Sequence, residues 1–446
     1  EVALHFAIPR CDRLRYRERV KLIASGLSDV GRVREMNEDT WLAAPELGLY
    51  VVCDGMGGHA GGEVASRLAA ETVIAAVRSR PDMLVDDPTP EQCEALAGLL
   101  RHAIEAASAA VYRRSVEEGN RGMGTTCTTL LIAGSKAIMG HVGDSRLYLS
   151  RAGQLHLVSQ DHTYVAEAVR HGIMTREEAL ASGYGNIVTR AVGPHENVLV
   201  DTLVFDVLPH DRLLLCSDGL HGYFEDAVEL VTLMRENDTE RLAGKLIGMA
   251  NERGGDDNIT AVVLRVEAPD AAPAHVTGRM TEVSQDFHAL RQLTFFSDMD
   301  LPELARVGHA LKSAVYEAGA TILEQKDERG RLFIIAEGTV SVRKDGKQLA
   351  ELRTGQHFGE MSLLNYAPSN ASVVAVRSTR VLVLERDAFF ALIKQDANVG
   401  AKFLWRIAQA LSQRLDNALP FLVGREDTRR TMPMGGQMPS PFIGRG

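Results

Sequence analysis

Residues 51–66 read VVCDGMGGHAGGEVAS, an apolar run that stops at Asp54 and gives way to a turn in which five of the next eight residues are glycine. A helix-like segment follows. A carboxylate at the end of a buried strand, beside so flexible a turn, can be a turn aspartate, part of a phosphate cradle or a metal ligand. The glycine spacing fits neither the Walker nor the dinucleotide-binding pattern.

Outward from this stretch, residues from about 20 to 267 alternate strand and helix signals. The strand-like runs are LYVVC (49–53), TTLLIAG (128–134), KAIMGHVG (136–143), RLYL (146–149), RLLLC (212–216) and ITAVVLRV (259–266). Helical patterns span 62–78, 91–118 and 226–252, the second with Leu96, Leu100, Ala103, Ala107 and Val111 on one stripe. Thr175 with Glu178 has the spacing of a capping box. This mixture predicts an α+β domain of helix-covered sheets. EAPDAAPAHVTG (267–278) reads as linker. A second module at about 284–420 is a series of short strands, as in a β-barrel or jelly roll. It closes with a helix that places Phe403, Leu404, Ile407, Leu411 and Leu415 on one face. The expected boundaries are an N-terminal extension 1–22, a first domain 23–267, a linker 268–283, a second domain 284–420 and a disordered tail 421–446.

At 446 residues the chain exceeds one ordinary core. No apolar run is long enough to span a bilayer, and residues 1–20 lack a signal-peptide core. A net charge of −10 argues against nucleic acid as a partner. The five cysteines, at 11, 53, 93, 127 and 216, form no CxxC pair, which disfavours zinc and disulfides and fits a reducing cytoplasm.

Asp54 has company. Asp218-Gly219 ends the strand RLLLC, Asp144 ends GHVG, Asp256 and Asp257 precede ITAVV, and MNEDT supplies Glu38 and Asp39. If these strands share a sheet edge their carboxylates converge, and clustered like charges are costly unless a cation offsets them. All-oxygen donors point to Mg²⁺ or Mn²⁺ rather than zinc. Gly55 lets the backbone approach closely enough for its carbonyl to join.

SDVGRVREMNEDT, DGMGGHAGGEVAS, MGTTCTTLL, GHVGDSRLY, DHT, NIVTRAVG, LLLCSDGL and GGDDNIT resemble, in order, the motif series of bacterial type 2C metal-dependent serine/threonine protein phosphatases, over residues 24–267. The resemblance implies a two-sheet β-sandwich flanked by helices, with two Mn²⁺ or Mg²⁺ ions at one end. Asp54 would bridge them. Asp218 and Asp257 would complete one ion, Gly55 (by its carbonyl) and Glu38 the other, and Asp39 would act through water. Asp144, with Asp218, resembles the site of a third ion. Arg34 matches the phosphate-binding arginine, and a water activated by both ions would attack phosphorus. Met56 stands where animal relatives carry a proposed acid histidine, and His59 follows three residues on, so the general acid is unassigned. Asn258, His162, Thr189 and Arg190 read as scaffolding, and 168–186 as a flap bearing on substrate choice. The implied partners are phosphorylated proteins, including a Ser/Thr kinase or its substrates.

GQHFGEMSLLNYAPSNASVVA (355–375) resembles the phosphate-binding cassette of cyclic nucleotide-binding domains, within a resemblance covering about 288–418. That implies a jelly roll with Gly359, Glu360, Met361, Ser369 and Asn370 at the ligand, Glu360 on the ribose hydroxyl. The cassette arginine is absent: Ser369 holds its place. A cyclic nucleotide, another ligand, or a ligand-free docking role all remain open. With only a short tail following, no DNA-binding element is expected. The alternative to an enzyme is a cyclic-nucleotide receptor or phosphoprotein-binding scaffold with little catalysis. Oligomeric state stays open.

Overall fold

The computed structural model describes residues 21–422 apart from 58–60, 118, 120–121, 186, 225 and 268–292. The linker expected at 268–283, the extension up to residue 20, the tail beyond 422 and His59 therefore lie outside the described residues. The chain divides into two compact units, Glu1–Thr281 and Glu282–Gly446.

In the first unit the order is β1 (Lys21–Asp29), β2 (Thr40–Ala44), β3 (Leu49–Cys53), β4 (Gly55–Met56), α1 (Gly61–Arg78), α2 (Pro90–Glu117), β5 (Gly124–Thr125), β6 (Cys127–Ala133), β7 (Lys136–Val142), β8 (Arg146–Arg151) and β9 (Gln154–Leu157). There follow α3 (Tyr164–Arg170), α4 (Arg176–Ala181), β10 (Asp201–Asp206), β11 (Arg212–Cys216), α5 (Asp218–His221), α6 (Ala227–Leu233), α7 (Thr239–Glu252) and β12 (Ile259–Glu267). Two five-stranded sheets form, β1-β12-β11-β8-β9 and β10-β7-β6-β3-β2. Every named pairing within them is antiparallel.

The inner strands β3, β6, β7, β11 and β12 are buried on both faces, which is why they read as unbroken apolar runs rather than alternating ones. In β3, Leu49, Val51 and Cys53 join the core beneath α1 and α2, while Tyr50 and Val52 point the other way and are equally buried. In β11, Leu214 and Cys216 pack with α6 and α7, while Leu213 and Leu215 face inward. The stripe Leu96, Leu100, Ala103, Ala107 and Val111 of α2 is buried as its spacing predicts.

Two expectations fail in this unit. The helix expected over 226–252 is two helices, because Asp238 caps α7 by accepting from the backbone N–H groups of Glu240 and Arg241, a polar stop that ends the preceding turn. The acid-bearing strands do not share one sheet edge: β3 and β7 lie in one sheet, β11 and β12 in the other. The carboxylates meet across the sandwich instead. The capping box Thr175–Glu178 forms and opens α4.

The second unit holds α8 (Leu301–Ala310), β13 (Leu311–Tyr316), β14 (Thr321–Leu323), β15 (Arg331–Glu337), β16 (Thr339–Lys344), β17 (Lys347–Arg353), β18 (His357–Phe358), α9 (Glu360–Asn365), β19 (Ser372–Ala375), β20 (Thr379–Glu385), α10 (Arg386–Gln395) and α11 (Ala397–Leu422). Its two four-stranded sheets, β13-β20-β15-β18 and β14-β19-β16-β17, are those of a jelly roll. Phe333, Ile335, Val340, Val373 and Val381 fill its interior, and Phe403 and Ile407 of α11 close a second core with Leu332 and Leu384. Leu404 and Leu415 were expected on that packed face but are exposed. Leu404 sits one residue off the row Phe403, Ile407, Leu411 that packs in the core, and Leu415, a turn further along that row, lies beyond the packed stretch.

Candidate functional site

The glycine turn is held by a small two-stranded pairing. Gly55 of β4 faces Thr125 of β5. The Asp54 N–H donates to Thr126 Oγ1 at 2.8 Å, and its carbonyl accepts from Thr125 Oγ1 at 2.8 Å and from the Thr126 N–H at 2.9 Å. Asp54 thus has its backbone fixed at both ends, which aims its side chain. Gly55 is required by close approach: a Cβ there would sit 2.3 Å from the Gly62 carbonyl oxygen and 2.5 Å from that of Glu38.

Around Asp54 the other sheet contributes its acids. Asp218, expected at a strand end, opens the four-residue helix α5 directly after β11. Asp39, after the loop from β1, is buried. Its Oδ2 accepts from Ser217 Oγ and Thr260 Oγ1, both at 2.7 Å, and its Oδ1 is buried with no partner among the described residues. Burial, then the nearby charges of Asp39, Asp218 and Asp144, pushes the Asp54 carboxyl well above the usual carboxylate range. Burial likewise raises Asp218, and carries Asp39 and Asp144 up to about 7. Glu38 is raised by burial against the pull of Arg34. A set of buried carboxylates that resist ionisation together is short of positive charge.

Arg34 supplies some of it. Its Nη2 donates to Asp257 Oδ2 at 2.7 Å, while Asp257 Oδ1 accepts from the Asn258 N–H at 2.8 Å. Half of the Arg34 side chain is exposed, so the guanidinium stands at the rim.

The donors are all hard oxygens, which suits Mg²⁺ or Mn²⁺. Among the described residues no three His, Cys, Asp or Glu side chains form a ready-made cage. The fit is rather to ions that keep much of their water and take few carboxylates each. The unpartnered Asp39 Oδ1 and the mutual repulsion at Asp54 are what such ions would relieve.

Several residues read from sequence as scaffolding organise this site. Asn258 is buried and fully used: its Oδ1 accepts from the Glu38 N–H at 2.7 Å, and its Nδ2 donates to the Val30 and Met36 carbonyls at 3.0 and 2.9 Å. The loop bearing Arg34 and Glu38 therefore hangs from one amide. His162 accepts from the Gly143 N–H at 3.0 Å and contacts Asp201 at 3.0 Å, so it steadies the turn before Asp144, and Arg190 holds the other oxygen of Asp201 at 2.8 Å. Ser217, Thr126 and Thr260 went unnoticed in the sequence, because a hydroxyl in an apolar strand carries no spacing signal. Around the stretch 168–186, Tyr164 and Tyr184 meet edge-on at 6.1 Å, both exposed.

In the second unit, Gly359 has φ 90 and precedes α9. Glu360 and Ser369 are buried, whereas Met361 and Asn370 are exposed.

Comparison with known proteins agrees with this division. The family model for protein phosphatase 2C matches residues 32–257, and that for the cyclic nucleotide-binding domain matches 314–396. The chain is 40% identical over 240 residues to the serine/threonine protein phosphatase PstP of Mycobacterium tuberculosis, covering 54% of this chain and 44% of that one. It thus spans under half the length of these mycobacterial relatives. It is 34% identical to the serine/threonine phosphatase stp of Listeria welshimeri, covering 53% of this chain and 93% of the relative. The solved serine/threonine phosphatase of S. agalactiae matches at 31% identity with a TM-score of 0.50, covering 55% of this chain and all of that one. With half of its length matched by the family model, and with the acids of both sheets meeting at Asp54, the chain belongs to the protein phosphatase 2C family.

Proposed function

We propose that the first unit hydrolyses phosphoserine and phosphothreonine in proteins with Mn²⁺ or Mg²⁺, and that the second is a regulatory sensor or docking module. The observation that carries this reading is the convergence of buried acids from two sheets on Asp54, with Asp39 Oδ1 unpartnered and Arg34 at the rim. Asp54, Asp218 and Asp257, with Glu38 and the Gly55 carbonyl, would hold two ions, and Asp144 with Asp218 a third. When bound, such ions supply an acidified water and offset the phosphate charge.

The chain's own part is binding and placement. Arg34 can grip two phosphate oxygens in a fork, and its present hold on Asp257 parks it beside the acids until an anion competes for it. Asn258 fixes the loop from which Arg34 and Glu38 reach inward. Burial and then Arg146 hold the His221 imidazole down to about 3, and its Nε2 lies 3.0 Å from the Asp144 carbonyl, which argues against it as the proton donor. Substrates would be phosphorylated proteins, including a Ser/Thr kinase of the same cell or its targets. The four described cysteines are buried and unbridged, which suits the reducing cytoplasm of a bacterium. Among the described residues no helix is long and apolar enough to cross a membrane.

The test is phosphate release from a phosphothreonine peptide with Mn²⁺ and with chelator. Turnover should require the metal. Asp54→Asn and Asp218→Asn should each abolish it while circular dichroism stays unchanged. Normal turnover in either variant would overturn the assignment.

A further inference from the structure

Among the described residues, five buried polar atoms of the second unit have no hydrogen-bond partner: Trp405 Nε1 of α11, and Arg331 Nε, His357 Nε2, Glu360 Oε2 and Ser369 Oγ, the four that concern the cassette. The backbone ties these four to one place. A Cβ on Gly359 would come 2.3 Å from the Arg331 carbonyl oxygen, so the start of β15 lies against the residue before Glu360. His357 pairs with Ile334 in the same ladder. At the other end, Arg331 Nη2 donates to Asp327 Oδ2 at 2.9 Å, and the backbone of Asp327 accepts from the Ser369 N–H at 2.9 Å. Arg331 therefore bridges from the Glu360 side of the cassette to the Ser369 side.

Its direction follows from strand alternation. Phe333 and Ile335 face the jelly-roll interior, and Leu332 and Ile334 face the helices. Arg331 shares the inward face, and its guanidinium lies 5.1 Å from the Phe333 ring centre. An inward arginine with an unmet N–H is costly unless something completes it. Asp327 does so only in part, since it also accepts from Arg329 at 2.7 Å. Two guanidiniums on one carboxylate leave one positive charge in surplus. Glu360 is also half-engaged: Arg414 of α11 holds Oε1, and the same guanidinium reaches the His357 carbonyl.

We propose that Arg331, from β15, is the anion-binding residue of this pocket, doing from the strand what Ser369 does not do from the cassette, and that the ligand is a cyclic ribose phosphodiester. The Arg331 Nε–H and the Ser369 hydroxyl face the anion, and Glu360 Oε2 accepts from a ribose hydroxyl. Arg329 stays on Asp327 when Arg331 turns to the ligand, so no carboxylate is left bare. This rests on the reading of the second unit as a sensor.

Calorimetric titration of the full chain with cyclic AMP and cyclic GMP tests it. The wild type should bind at least one of them, Arg331→Gln should bind it about ten- to hundredfold more weakly, and adding Ser369→Arg to that variant should restore affinity. Equal binding by wild type and Arg331→Gln overturns the assignment and leaves the sensor reading standing. A silent wild type whose Ser369→Arg variant binds also overturns it. If neither binds, the sensor reading fails with it. Should Arg331→Gln not fold, judged by thermal melting, Asp327→Asn gives the answer: freeing the guanidinium should tighten binding, and unchanged affinity counts against the proposal.

Discussion

A single amide, that of Asn258, carries more of this site than any residue of comparable size. It spends all three of its hydrogen bonds on the chain between Val30 and Glu38. Asn258→Ala would strand one N–H and two carbonyls, and we expect it to cost about 2 kcal/mol of stability, read from urea unfolding. Because Arg34 and Glu38 ride on that loop, kcat/KM for a phosphopeptide should fall by about tenfold or more. Asp54, Asp144, Asp218 and Asp257 each stand beside or close to glycine at one end of an apolar run, a pattern visible in the sequence. The supports are not visible there. Asn258 directly follows Asp257 in the chain, and nothing in that adjacency tells that its side chain turns back toward a loop more than two hundred residues earlier.

Among elements, the break between α6 and α7 shows where periodicity misleads. Buried Leu230 and Leu233, then Leu242 and Leu246, each keep helical spacing, but the nine-residue step from Leu233 to Leu242 puts the two pairs out of phase, and the carboxylate at Asp238 marks the restart. Asp238→Ala should lower stability by about 1 kcal/mol, measurable as a shift of the urea midpoint without change in slope. Helix α2 was readable to within a residue because its stripe is continuous over its whole length. The division of the strands between sheets was not readable, since β1 pairs with β12 from the far end of the unit, Asp29 opposite Ile259, and pairing over such a separation leaves no local trace.

For the whole molecule, pH and metal are coupled with a definite sign. Asp39 and Asp144, carried to about 7 mainly by burial, bind protons more tightly in the fold than in the unfolded chain. In chelator, their contribution to stability is full below the unfolded carboxylate range and is lost as pH rises through 7. On the proposed reading, bound Mn²⁺ would offset the negative charge that those protons otherwise neutralise. The melting temperature in saturating Mn²⁺ minus that in chelator should therefore widen from pH 5.5 to 8. His141, held to about 4 by burial, works in the opposite direction, losing stability as pH falls below its unfolded range, and is common to both forms. A difference that stayed flat with pH would separate the acids from the metal.

The meeting of Asp54 and Asp144 from one sheet with Asp218 and Asp257 from the other has a mechanical corollary. A cation held by both layers, as proposed, would act as a rivet, since each sheet keeps its own ladder of hydrogen bonds whether or not the two stay aligned. Activity is then a gauge of alignment between layers. In mild denaturant, turnover should fade while the far-ultraviolet signal of both sheets is still whole, and extra Mn²⁺ should postpone that fading.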